Sequence, residues 1–294
     1  MDEYKDKKAA SAENDKGRTS RIIKKTLIYI VLIAVSVMCL FWFLILFINA
    51  TRSNDELGRG FTLIPGGNFV KNFSNLFHGT IPVLNGLLNS LIVSSCSAVL
   101  CTYFSTMTAY AIQTYDFKGR KAIATFILAI MMIPTQVTAL GFVNLVNKMN
   151  LADNFIPLIV PTIASPVVFF YMKQYMESNL PASLIEAARM DGAGEFRTFN
   201  TIALPLMKPA IAVQAIFTFV SSWNNYFTPS LILHNDKMKT LPVQIAQLRA
   251  ADFLKFDMGQ VYAMIAFSIF PVIIVYLFLS KYIVGGVTAG GVKE

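Results

Sequence analysis

The residues best suited to specific chemistry are concentrated in one stretch, EAARMDGAGEFRTFNTIALP, residues 186–205. It combines the carboxylates of Glu186, Asp191 and Glu195 with the guanidinium groups of Arg189 and Arg197, an Asp191-Gly192 break and two apolar-periodic runs. That mixture suits recognition of another surface: charge for pairing, apolar faces for burial, glycine for a bend. It does not suit catalysis. His78 and His234 stand far apart, and no H-E-x-x-H, nucleophile elbow or cysteine-based metal spacing occurs. Cys39, Cys96 and Cys101 all lie in apolar runs, where small core residues are expected. The C-terminal GGVTAGGVKE is not a phosphate loop: Val292 precedes Lys293, no Ser or Thr follows, and a long apolar run precedes it. The chain is expected to be no enzyme and to carry no cofactor or metal of its own.

The local grammar of the stretch predicts two short amphipathic helices. Pro181 suits a helix start, where its missing donor costs nothing. ASLIEAARM follows, rich in helix formers, with Leu184, Ala187 and Ala188 on one face. Asp191-Gly192 stops this helix, Gly192 taking the left-handed cap conformation. Phe196, Phe199 and Ile202 form the face of a second helix, ended by Leu204-Pro205. An interfacial helix resting on lipid needs a basic polar face. Here acidic and basic groups balance, so a protein partner is the better expectation.

The elements around this stretch are membrane spans. Of 294 residues, 55% are hydrophobic and 14% charged, against roughly 25% charged in soluble domains. Residues 26–48 form a charge-free run of 23 residues, where about 20 suffice to cross a bilayer. This run is too long for a cleaved signal and is read as a signal-anchor. Further spans are expected at 88–111, 122–145, 155–176, 209–232 and 260–282. Residues 1–25 are read as a disordered tail, 49–86 as an outer loop, 87–284 as the core with a long connection at 177–208, and 285–294 as a tail. Six spans put both termini on one side. That side collects 17 Lys/Arg and the other 8, so the positive-inside rule makes the termini and the 177–208 connection cytosolic. The net charge of +8 follows this topology and not a nucleic-acid module.

Polar groups inside the spans suggest a solute path. Pro134 and Gln136 fall within the third span, and Asn144 lies near its outer end. Pro157, Pro161 and Pro166 punctuate the fourth, and the fifth ends in SSWNNYFTP with Trp223 and Asn224. Prolines free carbonyls that must find partners inside the protein or in a wet cavity. Amides at membrane depth face the bundle interior. Gln136, Asn144, Trp223 and Asn224 are the expected path residues, the competing role being helix-to-helix hydrogen bonding.

The ordered pattern Glu186-Ala187-Ala188, Asp191-Gly192-Ala193, then Ile202, Leu204 and Pro205 resembles the EAA loop of binding-protein-dependent ABC importer permeases. The likeness extends over roughly residues 85–294 and is nearest the carbohydrate-uptake branch, in its MalG-like half. WNNYFTPSLILHNDKMKTLPV and the tail GGVTAGGVKE resemble that branch too, with Gly291 and Glu294 as departures. The resemblance implies an all-α, six-span type I importer fold in a bacterial plasma (inner) membrane. It implies a MalF-like second permease subunit, a dimeric ATP-binding subunit holding ATP and Mg, and an extracytoplasmic sugar-binding protein. Glu186, Ala187, Ala188, Asp191, Gly192, Ala193, Phe196, Phe199, Leu204 and Pro205 would meet the ATPase, with Thr288, Gly290 and Lys293 of the tail beside them. Phe196, Phe199 and Leu204 would fill the ATPase pocket or pack on the chain's own spans. The same architecture for a glycerol phosphodiester is the alternative. A gradient-driven carrier fits less well, since charged residues fall within the spans only at their ends, at Lys173 and Lys281.

Overall fold

The computed structural model describes residues 2–250 and 257–290, with side chains described over 21–250 and 257–282. The described residues form helices and turns, with no strand among them. The chain begins with α1 (Asp2–Ala50), α2 (Asn54–Gly58), α3 (Phe69–His78) and α4 (Val83–Thr114). Of the tail expected to be disordered, 1–25, residues 2–25 are helical backbone within α1. Once the apolar span has nucleated a helix, the Ala, Lys and Glu residues before it propagate it at little cost.

α4 is the central helix, packed along α8 (Pro166–Asn179) and α12 (Lys208–Trp223). It buries a series of small polar residues, Ser90, Ser94, Ser97, Thr102, Ser105 and Thr106. Small side chains let helix backbones approach closely where water supplies no driving force. The Thr102 hydroxyl bonds back to the Ala98 carbonyl at 2.7 Å. Such bonding removes a donor that lipid or core would leave unpaired.

The prolines break two expected spans more severely than a kink. The third is two helices, α5 (Arg120–Ile130) and α6 (Thr135–Lys148), bent by 95°. Pro134, extended at ψ 130°, caps α6 instead of sitting within a continuous helix. It has no N–H to carry the ladder across the break. The fourth begins with α7 (Ile156–Ile159) and a 3-10 turn over Val160–Ile163 before α8. The Ser165 hydroxyl accepts from the Val168 N–H at the start of α8. The fifth is also divided, into α12 and α13 (Phe227–Ile232), around Asn224 and Asn225. Four helical stretches are long and apolar enough to cross a membrane alone: Arg21–Ala50, Val83–Thr114, Ile156–Asn179 and Met258–Tyr282. Two bent pairs, Arg120–Ile130 with Thr135–Lys148 and Glu195–Leu206 with Lys208–Trp223, pass the same test jointly, so the candidate spans among the described residues number four to six.

The loops at the end of α4 near Val83 are well tied. Asn72 donates to the Ala50 and Arg52 carbonyls at 2.9 Å each. Asn89 of α4 donates to the Lys237 and Lys239 carbonyls, and the Ser90 hydroxyl accepts from the Leu241 N–H. α14 (Leu241–Ala250) is held by buried Gln244, which donates to the Pro82 carbonyl at 3.0 Å. The last helix, α15, runs Met258–Gly290. It therefore carries the expected tail residues Thr288 and Gly290 in helical backbone, with side chains outside the described set. Lys293 lies outside the described residues.

The candidate docking loop and the cavity behind it

Between α8 and α12 the chain folds into α9 (Ala182–Met190), α10 (Glu195–Thr198), a π-turn over Phe199–Ala203 and α11 (Leu204–Leu206). Pro181 precedes α9 as its cap, at φ −64°. Gly192 has φ +75°, a conformation that only glycine adopts without strain. Its N–H donates to the Arg189 carbonyl at 3.0 Å, and the Ala193 N–H reaches the Ala188 carbonyl at 3.0 Å. The expected bend is therefore present. The end of the second helix differs from expectation. Leu204-Pro205 does not terminate it; the chain turns at Met207, where an 81° bend leads into α12. The π-turn explains this: the Leu204 N–H donates to the Phe199 carbonyl, five residues back, so the ladder widens just before Pro205.

The loop has a buried and an exposed side. Ile185, Ala188, Thr198 and Phe199 are buried, packed with Tyr110, Met172 and Met176 of α4 and α8. Ile185 thus takes the place expected for Leu184 and Ala187, which are exposed. The i, i+3 pair of Ile185 and Ala188 faces the bundle, and Leu184 and Ala187 follow each other on the outer side. Phe199 and Leu204 pack on the chain's own helices. Phe196 is 71% exposed and Met190 87%. Glu186, Asp191 and Gly192 are exposed, and Ala193 and Leu204 half-buried. The side chains of Glu186 and Asp191 make no hydrogen bond or ion pair among the described residues. The outer face therefore offers two unpaired carboxylates beside large apolar side chains on a rigid base.

Glu195 is engaged. Arg189 donates to it through Nε at 2.8 Å and Nη2 at 3.3 Å, and the Tyr115 hydroxyl donates at 2.7 Å. Arg189, then Tyr115, hold the Glu195 carboxyl below the usual carboxylate range. Burial, then the bond to Glu195, push the Tyr115 phenol up to about 12. At neutral pH the phenol is thus the proton donor and the carboxylate the acceptor.

Behind the loop, α4, α8, α12 and the α12–α13 break line a partly open cavity of about 450 Å³. Its polar lining comes from Gln214, Thr218, Ser221, Ser222, Asn225 and Thr162. A second cavity of about 350 Å³ shares Thr162 and Asn225 with it and is reached by Thr135 and Thr138 of α6. Asn225 accepts the Thr228 N–H at 3.3 Å, capping α13. Irregular backbone at membrane depth is tolerated where it lines such a cavity.

The expected path residues are not the ones gathered here. Trp223 is 3% exposed and stacks on Phe219, centroids 5.7 Å apart, in a core with Leu76, Val83, Leu241 and Met264. It packs the bundle and does not line the cavity. Gln136, Asn144 and Asn224 are exposed and line neither cavity. On α6 the lining face is Thr135, Thr138, Ala139 and Phe142, which leaves Gln136 about 100° away. A sequence signal for the true lining existed: Gln214, Thr218, Ser221, Ser222 and Asn225 recur at helical spacing along one face. Among the described residues no group of His, Cys, Asp or Glu is arranged to hold a metal.

Residues 102–288 match the family described as binding-protein-dependent transport system inner membrane component. The arabinooligosaccharides transport system permease protein AraQ of Bacillus subtilis (strain 168) is 37% identical, covering 88% of this chain and 92% of that protein. The sn-glycerol-3-phosphate transport system permease protein UgpE of Yersinia pestis bv. Antiqua is 30% identical, over 88% of this chain and 94% of that protein. The solved structure of a bacterial ABC transporter involved in the import of the acidic polysaccharide alginate aligns with TM-score 0.75 and 24% identity. That alignment covers 90% of this chain and 97% of its own. The fold is accordingly that of a type I ABC permease, and the relatives are transport permease subunits and not enzymes.

Proposed function

Because the chain belongs to the binding-protein-dependent transport system inner membrane component family, we propose that it is one permease subunit of an ATP-driven, receptor-dependent importer of carbohydrate, in particular of an oligosaccharide. It crosses the membrane six times, taking α5 with α6 and α12 with α13 as single interrupted spans, with both termini cytosolic. Its partners are a second permease subunit, a dimeric ATP-binding subunit that holds ATP and Mg, and an extracytoplasmic sugar-binding protein. The 177–208 loop seats in the ATPase, beside the tail that includes Thr288, Gly290 and Lys293. Closure of the ATPase dimer moves the loop, and α8 and α12 with it, so that the cavity opens alternately to each side.

The loop geometry is the main support. Glu186 and Asp191 stand unpaired on a face with exposed Phe196 and Met190, while Phe199 and Ile185 fix the opposite face to α4 and α8. A surface so built recognises a partner without being deformed by it. The hydroxyl and amide lining of the cavity suits a neutral, hydroxyl-rich solute. The likeness to AraQ supports an oligosaccharide, and the likeness to UgpE keeps a glycerol phosphate ester as the second reading.

The test is purification of the assembled complex and a solute panel for receptor-stimulated ATP hydrolysis. Stimulation by oligosaccharides is expected. Stimulation by a glycerol phosphate ester alone would replace the carbohydrate reading, and uptake without nucleotide would overturn the importer reading. Glu186→Lys is expected to release the ATPase from the complex while the membrane part stays inserted, read by co-purification. Asn225→Leu is expected to lower uptake several-fold and Asn224→Leu much less, measured in proteoliposomes. Equal uptake in both variants would show that the cavity is not the path.

A further inference from the structure

The docking loop touches α4 through a cluster that its sequence pattern does not announce. α9 supplies Arg189, α10 supplies Glu195, and the residue just past α4 is Tyr115. Besides the 2.7 Å phenol–carboxylate bond and the 2.8 Å guanidinium bond, the Arg189 guanidinium carbon lies 5.5 Å from the centre of the Tyr115 ring. Further along α4, Tyr110 packs edge-on to Tyr115 at 6.1 Å and against Phe199 at 5.4 Å. Tyr103 packs against Phe199 at 5.7 Å and donates to the Asn200 amide oxygen at 3.1 Å. One face of α4 therefore follows the loop from residue 115 back to residue 103. Just beyond, Cys101 of α4 lines the cavity, its sulfur 3.9 Å from the Thr218 hydroxyl.

The loop is joined covalently to α8 and α12, so those helices must move when it moves. α4 is the central helix and has no such link. We propose that Tyr115, Glu195 and Arg189 form a latch that makes α4 follow the docking helices, carrying ATPase closure to the cavity wall. Tyr115 and Glu195 are positioning residues in this role. The carboxylate is the hinge pin: it is bonded at once to α9, which lies across the Gly192 bend, and to α4. The charge-assisted bonds give it direction as well as attraction. The latch rests on the docking role proposed for the loop.

The test uses the complete complex in proteoliposomes, with ATPase content, ATP hydrolysis and solute uptake measured on the same preparation. Tyr115→Phe keeps the ring, its burial and the stacked Arg189, and removes only the hydroxyl. Glu195→Gln keeps the shape and removes the charge. Both variants are expected to retain the full complement of ATPase and to move about twofold less solute per ATP, or less still, on the scale of exposed charge pairs. The double variant is expected to be no worse than Glu195→Gln alone, because the Tyr115 bond is one of those the carboxylate makes. An unchanged ratio in both variants, or strictly additive losses, overturns the latch. So does loss of the ATPase from both, which would make the cluster part of the docking face itself. Failure of the docking role shows elsewhere: Gly192→Pro would then keep its ATPase, whereas failure of the latch alone leaves that variant without it.

Discussion

A Gly192→Pro permease is expected to insert and fold its spans but to purify without its ATPase. Gly192 sits at φ +75°, and proline is confined near −65°. The substitution also deletes the N–H that closes α9 onto the Arg189 carbonyl. Proline in a conformation it cannot adopt costs roughly 3 kcal/mol or more. If that falls on the docking conformer, the population of properly bent loop drops by two orders of magnitude or so. α9 and α10 then separate, and the outer face carrying Glu186, Asp191 and Phe196 is no longer one surface. The damage is local, since Ile185, Ala188 and Phe199 remain packed in a core built on other helices. Gly192→Ala grades the argument. A Cβ there meets nothing within 4 Å, so its only penalty is the left-handed backbone, about 1–2 kcal/mol. Partial ATPase retention is expected for alanine and near-complete loss for proline. A normal amount of ATPase co-purifying with the proline variant would remove the docking assignment.

The second large effect is expected from closing the cavity. Ser221 lines it and is exposed to it, so in Ser221→Trp the indole projects into open volume and not into packed core. In a partly open cavity of about 450 Å³, an indole there competes directly with a sugar ring for the same space. Uptake is expected to fall below detection while the ATPase stays bound at its usual stoichiometry. Ser221→Ala, which removes one hydroxyl and no space, is expected to transport at a substantial fraction of the parent rate. Undiminished uptake by the tryptophan variant would place the solute path elsewhere. The pair of experiments separates power from passage: Gly192→Pro disconnects the motor, and Ser221→Trp blocks the route.

Local sequence was informative wherever the physics is local. The Asp191-Gly192 stop, the start of α9 after Pro181 and the apolar length of α1 all depend on a few neighbouring residues, and each stands where the chain pattern places it. The severity of the breaks was not local. Pro134 forbids a continuous ladder, but whether the chain kinks or turns by 95° depends on what packs on either side. Likewise Leu204-Pro205 carries a helix-ending signal, which a π-turn one residue earlier overrides because Phe199 is anchored in the bundle.

The sequence by itself determined that this is an all-helical membrane chain with a bent, charge-balanced segment at 186–205. Those properties reside in composition, run length and the conformational needs of glycine and proline. Only the tertiary structure decided which faces point inward. It assigned Trp223 to the core and Asn225 to the cavity, buried Ile185 and left Phe196 outside, and brought Tyr115 to Glu195 across 80 residues of chain. The reason is that a membrane helix is apolar on nearly every side. A single amide or indole does not say which direction is interior until the neighbouring helices have occupied the others.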